Sequence, residues 1–279
     1  MGKISKLYKR IIYKLKPKIN LDKLNLEHEN LEELFNYFGS DKGSLVSKIH
    51  GNDSNVKKKY PGHSYHEFYE KYLNKIKNKN FNLLEIGAYK GASIAAFYFY
   101  FKKANIFCID KNFKFQFKSS RVKFYNCNTK NFFDLEKLKN FLGRNNSKNF
   151  DLIIDDGSHL LSDIKKNFLF FFEFLNPGGF YIIEDFNHSN YYNLENLKNE
   201  QSIDAFLESI KQKRNFSSSI KNFNSKNKLF EQILNVYKHK GKMILNKDML
   251  IAQDGLVSEE VIKKLDNINV SDIAFIQKK

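Results

Sequence analysis

Apolar and polar positions alternate along this chain in two rhythms. Short apolar runs bounded by turn residues occur at FNLLEIG (81–87), NIFCID (105–110), VKFYNC (122–127), FDLIIDD (150–156) and GFYIIEDF (179–186). Each has the length and composition of a buried strand. Between them lie longer segments of helical character: GASIAAFYFYFKKA (91–104), FFDLEKLKNFLG (132–143, closed by Gly143) and LSDIKKNFLFFFEFLNPGG (161–179, stopped by Asn-Pro-Gly-Gly). Strands alternating with helices predict an α/β fold with a mainly parallel sheet and helices on both faces.

The flanks follow other patterns. LEHENLEELFNYFG (26–39) reads as a helix ending at Gly39, and HEFYEKYLNKIK (66–77) as another. The turn-rich stretch between them has a length that usually carries function. Residues 193–240 hold two amphipathic helical stretches around a Ser/Asn-rich joint and read as a helical insertion that covers or borders a site. KMILNKDMLIAQ and NVSDIAFIQKK offer two closing strands. The expected organisation is an N-terminal basic helix and loop extension (1–62) and a main domain (63–279).

Residues 3–18 contain seven basic residues and no acidic one, with Ile4, Leu7, Tyr8, Ile11, Ile12 and Leu15 at helical spacing. Such a helix can lie on an anionic membrane face. The alternative is a helix that docks on its own domain or on a partner subunit. Charges interrupt any apolar core of a secretory signal, and no stretch is long and apolar enough to span a bilayer. The expected location is the cytoplasm, with this helix as the candidate peripheral contact to the inner membrane face. A homo-oligomer is left open.

Hydrophobic residues make up 42% of 279, enough for a substantial core. The net charge of +16 attracts anions, or else is mostly a solvated surface in a sequence rich in Lys and Asn. Cys108 and Cys127 fit neither a zinc spacing nor a disulfide framework and read as small buried residues.

LEIGAYKG (84–91) lies where the first strand of the alternation gives way to a helix, the place where open parallel sheets bind ligands. Gly87 permits a tight turn and Gly91 lets backbone approach a ligand, with Glu85 just before the turn. The spacing matches neither a dinucleotide cradle nor a phosphate-binding loop. Asp110 ends the next strand, where a carboxylate can accept both hydroxyls of a ribose, so a nucleoside without phosphates fits.

Asp155 and Asp156 end one strand, and Glu184 and Asp185 end the next. If the strands are neighbours, the clustered acids must take up protons or recruit a cation. An all-oxygen set suits Mg²⁺, or another divalent cation such as Ca²⁺ or Mn²⁺. His159 follows closely, and imidazole can accept a proton near neutral pH. The alternative is that Asp156 and His159 only cap the following helix.

Taken in order, LEIGAYKG, CID, DLIIDDGSH and NPGGFYIIED resemble the class I S-adenosylmethionine-dependent methyltransferases. That resemblance implies a Rossmann-like, doubly wound, mainly parallel seven-stranded sheet. It implies S-adenosylmethionine held by Glu85, Gly87, Gly91 and Asp110, with Asn128 at the adenine. Asp-Gly-Ser-His followed by Glu-Asp resembles, more narrowly, the metal-dependent macrolide-sugar O-methyltransferases of the mycinamicin and tylosin type. There Asp156, Glu184 and Asp185 would hold magnesium and His159 would be the base. Asp155 and Tyr65 are counted with the cofactor residues. FGSDKG (38–43) and HSYHEFYEKYL (63–73) also look like segments of that family. In the second, His63 and Tyr65 border cofactor or substrate, or simply pack at a helix start. His188 reads as a loop residue.

The implied reaction is methylation of a sugar hydroxyl. Basic charge favours a nucleotide-linked hexose or heptose, or a surface polysaccharide, over a neutral acceptor. Another small-molecule hydroxyl, as in a catechol or an antibiotic, is the alternative. Nucleic acid is disfavoured, because KNFKFQFKSSR (111–121) reads as a loop beside the cofactor and DDGSH is not a base-methylating motif.

Overall fold

The computed structural model describes residues 3–46, 60–144, 149–188, 200–212, 227–247 and 259–279. Its helices are α1 (Lys3–Leu15), α2 (Leu31–Phe38), α3 (His66–Leu73), α4 (Ala92–Tyr100), α5 (Phe132–Arg144), α6 (Leu161–Phe171), α7 (Ile203–Lys211), α8 (Asn227–Phe230) and α9 (Glu259–Leu265). The seven strands of the main sheet are β4 (Asn82–Ile86), β5 (Asn105–Asp110), β7 (Val122–Asn126), β8 (Phe150–Asp155), β9 (Leu175–Glu184), β10 (Ile233–Lys240) and β11 (Asp272–Lys278). Four two-residue strands form two small pairs outside it: β1 (Ile19–Asn20) with β6 (Phe117–Lys118), and β2 (Leu45–Val46) with β3 (Tyr60–Pro61).

The strands run in the order β10-β11-β9-β8-β4-β5-β7. β9, β8, β4, β5 and β7 are parallel, while β11 runs antiparallel between β9 and β10. From β4 the chain moves outward through β5 to β7, then returns to β8 on the other side. That reversal opens a crevice at the carboxyl edge beside β4. The seven-stranded, mainly parallel expectation holds.

Each face of the sheet has its own core. Leu84, Ile153 and Tyr181 pack under α5, α6 and α7 with Leu138, Phe168 and Phe206. Leu83, Ile154 and Phe275 pack under α2, α3 and α4 with Phe35, Tyr69 and Phe97. The extension therefore contributes Leu31, Leu34 and Phe35 to the same core as β4. Its helix α2 starts at Asn30, whose side chain accepts from Glu33 N at 2.8 Å, and stops at Gly39 with φ 72°. Both are the expected cap chemistry.

Two expectations change. Ile233–Lys240, read as helical, is strand β10 at the sheet edge. Leu229, Ile233 and Val236 recur at intervals of four and three, which mimics a helix. A register shift at Ile233/Asn235 also spoils the strand alternation. Of KMILNKDMLIAQ, the described residues 242–247 contribute only a bridge from Ile244 to Asn269. The other half of that segment, and most of the Ser/Asn-rich joint, lie outside the described residues.

Candidate active site

Parallel strands put their following residues on one edge, so Gly87, Asp110, Asp156 and Asp185 all leave the sheet on the same side. The turn after β4 is built against the turn after β8. Gly87 has φ 95°, and a Cβ there would meet the carbonyl oxygen of Asp156 at 1.9 Å. Gly91 has φ 92°, and the space beside it holds the Phe115 ring, 2.4 Å from where a Cβ would be. The side of this glycine where a Cβ would stand is filled by protein packing.

Asp110 is held ready rather than free. Its carboxylate accepts from Tyr89 N at 2.9 Å and from Asn112 N at 2.6 Å. Asn128 folds into a local turn, with Oδ1 accepting from Lys130 N at 3.2 Å. Phe115 and Phe117, in the loop after Asp110, are buried packing residues and not exposed stacking platforms.

Glu85 lies in the buried floor of the site. Oε2 accepts from Ser93 Oγ at 2.8 Å, while Oε1 is buried with no hydrogen-bond partner. Burial raises this carboxyl to about 7, although the Lys42 ammonium, 3.9 Å away, pulls it down.

Lys42 is the residue the sequence reading missed. It is 1% exposed, and its ammonium donates to Asp156 Oδ2 and Glu184 Oε2. Burial works to lower its pKa, but Asp156, Glu184 and Glu85 together raise it well above the usual lysine value. It is therefore a fixed internal cation among three acids. Burial pushes Glu184 up as well, against the pull of the Lys42 ammonium. Tyr69 donates to the other oxygen, Glu184 Oε1.

Above this floor is a more open layer. Asp156, His159 and Asp185 each offer a ligand atom, and the three atoms lie within 4.8 Å of one another. His159 Nε2 is 3.6 Å from Asp156 Oδ1. Tyr65 OH donates to Asp185 Oδ1 at 2.6 Å and to the Asp272 carbonyl at 3.1 Å. His63 stacks on Tyr65 at 4.8 Å, with Nδ1 2.7 Å from Ser271 Oγ and 3.5 Å from Asp185 Oδ1. Burial opposes ionisation of Asp185, but His63, His159 and the Tyr65 hydroxyl hold its carboxyl below the ordinary value. His188 meets His159 edge-on at 5.2 Å, and burial together with His159 lowers it to about 4. Several loop residues here have left-handed backbone, namely Ser64 (φ 56°), Tyr89 (φ 44°), His159 (φ 54°) and Asp185 (φ 49°). Such strain collects where side chains must be aimed.

The structure thus brings together Asp156, His159 and Asp185, but it turns Glu184 to Lys42 and Tyr69. Tyr65, expected with the cofactor, instead supports Asp185. Asp155, also expected there, lies on the opposite face, where Asn167 Nδ2 (3.3 Å) and Tyr181 OH (3.2 Å) donate to it. Helix capping does not account for Asp156 and His159: the residue before α6 is Leu160, and no side chain caps that end.

No protein-family model matches the chain. Over 147 residues it is 28% identical to the 8-demethyl-8-alpha-L-rhamnosyl tetracenomycin-C 2'-O-methyltransferase of Streptomyces olivaceus, covering 50% of this chain and 36% of that protein. Over 130 residues it is 27% identical to the mycinamicin VI 2''-O-methyltransferase of Micromonospora griseorubida, covering 44% and 31%. Over 124 residues it is 32% identical to the L-olivosyl-oleandolide 3-O-methyltransferase of Streptomyces antibioticus, covering 42% and 31%. The chain spans about a third of the length of these relatives. Among solved structures, the MycE methyltransferase of mycinamycin biosynthesis, in complex with Mg and SAH, superposes with a TM-score of 0.58 at 18% identity, over 90% of this chain and 55% of that one. The fold is the Rossmann-like fold of that methyltransferase, and the sequence matches are to parts of proteins named as O-methyltransferases.

Proposed function

We propose that the protein transfers a methyl group from S-adenosylmethionine to a sugar hydroxyl with the help of a divalent cation. The observation that carries this reading is the meeting of Asp156, His159 and Asp185 at the carboxyl edge, beside the glycine turn and Asp110. The names of the relatives, all O-methyltransferases, and the Mg and SAH in the MycE structure support it.

The residues fit both groups. Glu85 Oε1 is a buried acceptor without a donor, next to the glycine turn. The two carboxylates, Asp156 and Asp185, are an oxygen donor set suited to Mg²⁺ or Mn²⁺, with His159 beside them. Glu85, Gly87, Gly91 and Asp110 would hold the cofactor, with Asn128 towards its base. Asp156 and Asp185 would hold the ion, with Glu184 behind them on Lys42. When bound, the cofactor would supply a methyl already activated on a sulfonium, and the ion would lower the pKa of the acceptor hydroxyl and orient it.

The chain's own residues do the rest. Tyr65 and His63 fix Asp185 from below, and Lys42 fixes Asp156. His159 accepts the hydroxyl proton on its imidazole, the one nitrogen base in the open group. The His188 ring, kept neutral at that pH, restricts His159 from the side. Sugar hydroxyls are very weak acids, so aligning the acceptor and removing its proton are the two tasks a site must perform.

The acceptor is an anionic sugar, namely a nucleotide-linked hexose or heptose or a surface polysaccharide, met in the cytoplasm. The +16 charge supports that choice. The test is mass spectrometry of nucleotide sugars and neutral glycosides incubated with S-adenosylmethionine, with Mg²⁺ or with EDTA. A mass gain of one methyl that EDTA abolishes is expected, with His159→Ala slower by about 10²–10⁴-fold. Undiminished turnover in EDTA, or an unaffected His159→Ala, would overturn the reading. Equal turnover of neutral glycosides would remove the anionic acceptor alone.

A further inference from the structure

Helix α1 is amphipathic, yet it docks by the wrong side for a helix that serves only its own core. Tyr13 is its mooring: the ring packs 5.5 Å from Phe113 and 5.6 Å from Phe124, with the Lys18 ammonium 3.3 Å over it. Lys18 also donates to the Phe115 carbonyl, and Ile19 N donates to Gln116 O at 2.9 Å. At about 100° per residue, Tyr13 lies roughly 160° round the helix from Leu15. The apolar stripe therefore faces outward, with Tyr8 64%, Ile11 49% and Leu15 78% exposed. Lys14 flanks the stripe on one side and Lys16 on the other, both exposed, while Lys9 and Arg10, also exposed, lie about 40° and 60° round from Tyr13 at the edges of the docked side.

We propose that α1 is a membrane-surface anchor, with the Tyr8–Ile11–Leu15 stripe entering the head-group layer of an anionic bilayer and the flanking basic side chains meeting lipid phosphates. Charge complementarity selects this occupant. A second copy packed through the same face would bring Lys14 and Lys16 against the basic rows of its partner, because both copies present the same positively flanked stripe to a two-fold interface. A nucleic-acid backbone would satisfy the lysines but leave Ile11 and Leu15 in water. An anionic bilayer satisfies both. Among the described residues no helix is long and apolar enough to cross a membrane, so the contact is peripheral. The helix rests on the loop 111–118, which leaves the carboxyl end of β5. Lipid contact would therefore hold the carboxyl edge of the sheet near the membrane surface. The inference is independent of the proposed reaction.

The test is co-sedimentation of the full chain with vesicles of phosphatidylcholine alone and with about 30 mol% phosphatidylglycerol added. Binding to the anionic vesicles only, weakened by high salt, is expected. The double substitution Ile11→Glu, Leu15→Glu should weaken it at least roughly tenfold. Its melting temperature should stay unchanged, because both side chains are already exposed. Lys14→Glu, Lys16→Glu should weaken binding without touching the stripe. The proposal is overturned if the chain ignores anionic vesicles, if either double variant binds as well as the parent, or if it is a dimer that Leu15→Glu converts to monomer. It is also overturned if neutral vesicles bind equally, or if a polyanion such as RNA is retained while vesicles are not.

Discussion

Replacing Lys42 with methionine removes the only cation found within contact of three buried or half-buried acids among the described residues. Methionine keeps most of the stem's volume, so the change is chiefly electrostatic. The ammonium touches Asp156 and Glu184 directly and stands 3.9 Å from Glu85. Removing one partner of a buried pair costs about 3–5 kcal/mol, because the other charge is stranded. At low pH the cost shrinks, since stranded carboxyls can take up protons. Glu85 already sits near 7 in the folded protein against 4.5 ordinarily. A group raised on folding contributes stability below its unfolded pKa and loses it as pH rises through its folded pKa. Without Lys42 that pKa climbs further, so the deficit of Lys42→Met should widen from about pH 6 to about pH 8. At roughly 2–4 °C per kcal/mol, the melting temperature should fall by about 6–20 °C at the higher pH. Differential scanning fluorimetry in EDTA measures it. Adding Mg²⁺ should recover more stability in the variant than in the parent, since an ion can take over the missing charge. A melting point within about 1 °C of the parent at the higher pH, or a deficit that is larger at low pH, would refute the reasoning.

Two further perturbations probe other parts of the argument. Asp155 is raised from 3.8 to about 7 by burial, so its contribution is full below 3.8 and is lost as pH rises through 7. Asp155→Asn should therefore flatten the pH dependence of urea unfolding, by up to about 4 kcal/mol between the limits; an unchanged slope would refute this. Gly87→Ala must shift the backbone at Asp156, because its Cβ would meet that carbonyl at 1.9 Å. Loss of at least about 2 kcal/mol of stability, together with weakened Mn²⁺ binding by electron paramagnetic resonance, is expected; unaltered Mn²⁺ affinity would show that the two turns are not coupled.

The strands of the sheet were legible because burial on both faces writes them as continuous apolar runs: Asn105–Asp110 is observed with the expected bounds, and Asn82–Ile86 falls inside 81–87. β10 was not, because an edge strand with one wet face and a bulge loses that signature. The acids after β8 and β9 were legible from their chemistry. Which of them share a space was not, although the pleat supplies part of the answer. Neighbouring residues of a strand point to opposite faces, so Asp155 and Asp156 cannot both enter the cleft. Lys42 and Tyr69 fall in segments that the resemblance marks, FGSDKG and HSYHEFYEKYL, but nothing local assigns either side chain its role. Their partner Glu184 is 142 and 115 residues away, and Lys42 lies in a turn-rich segment whose pattern gives only a loop.

β11 follows β10 in the chain yet lies inside it in the sheet, and the residues at its start, Ser271 and Asp272, help to hold His63 and Tyr65 under Asp185. The proposed ion-holding group therefore depends on segments far apart in sequence, around Lys42 and residues 63–69, 156–185 and 271–272. Closing loops of that length is slow. Chelating power would thus be acquired late, when the final strand slots between its neighbours. A nascent or partly melted chain would carry the same acids without gripping a cation, and metal affinity would serve as a gauge of complete folding.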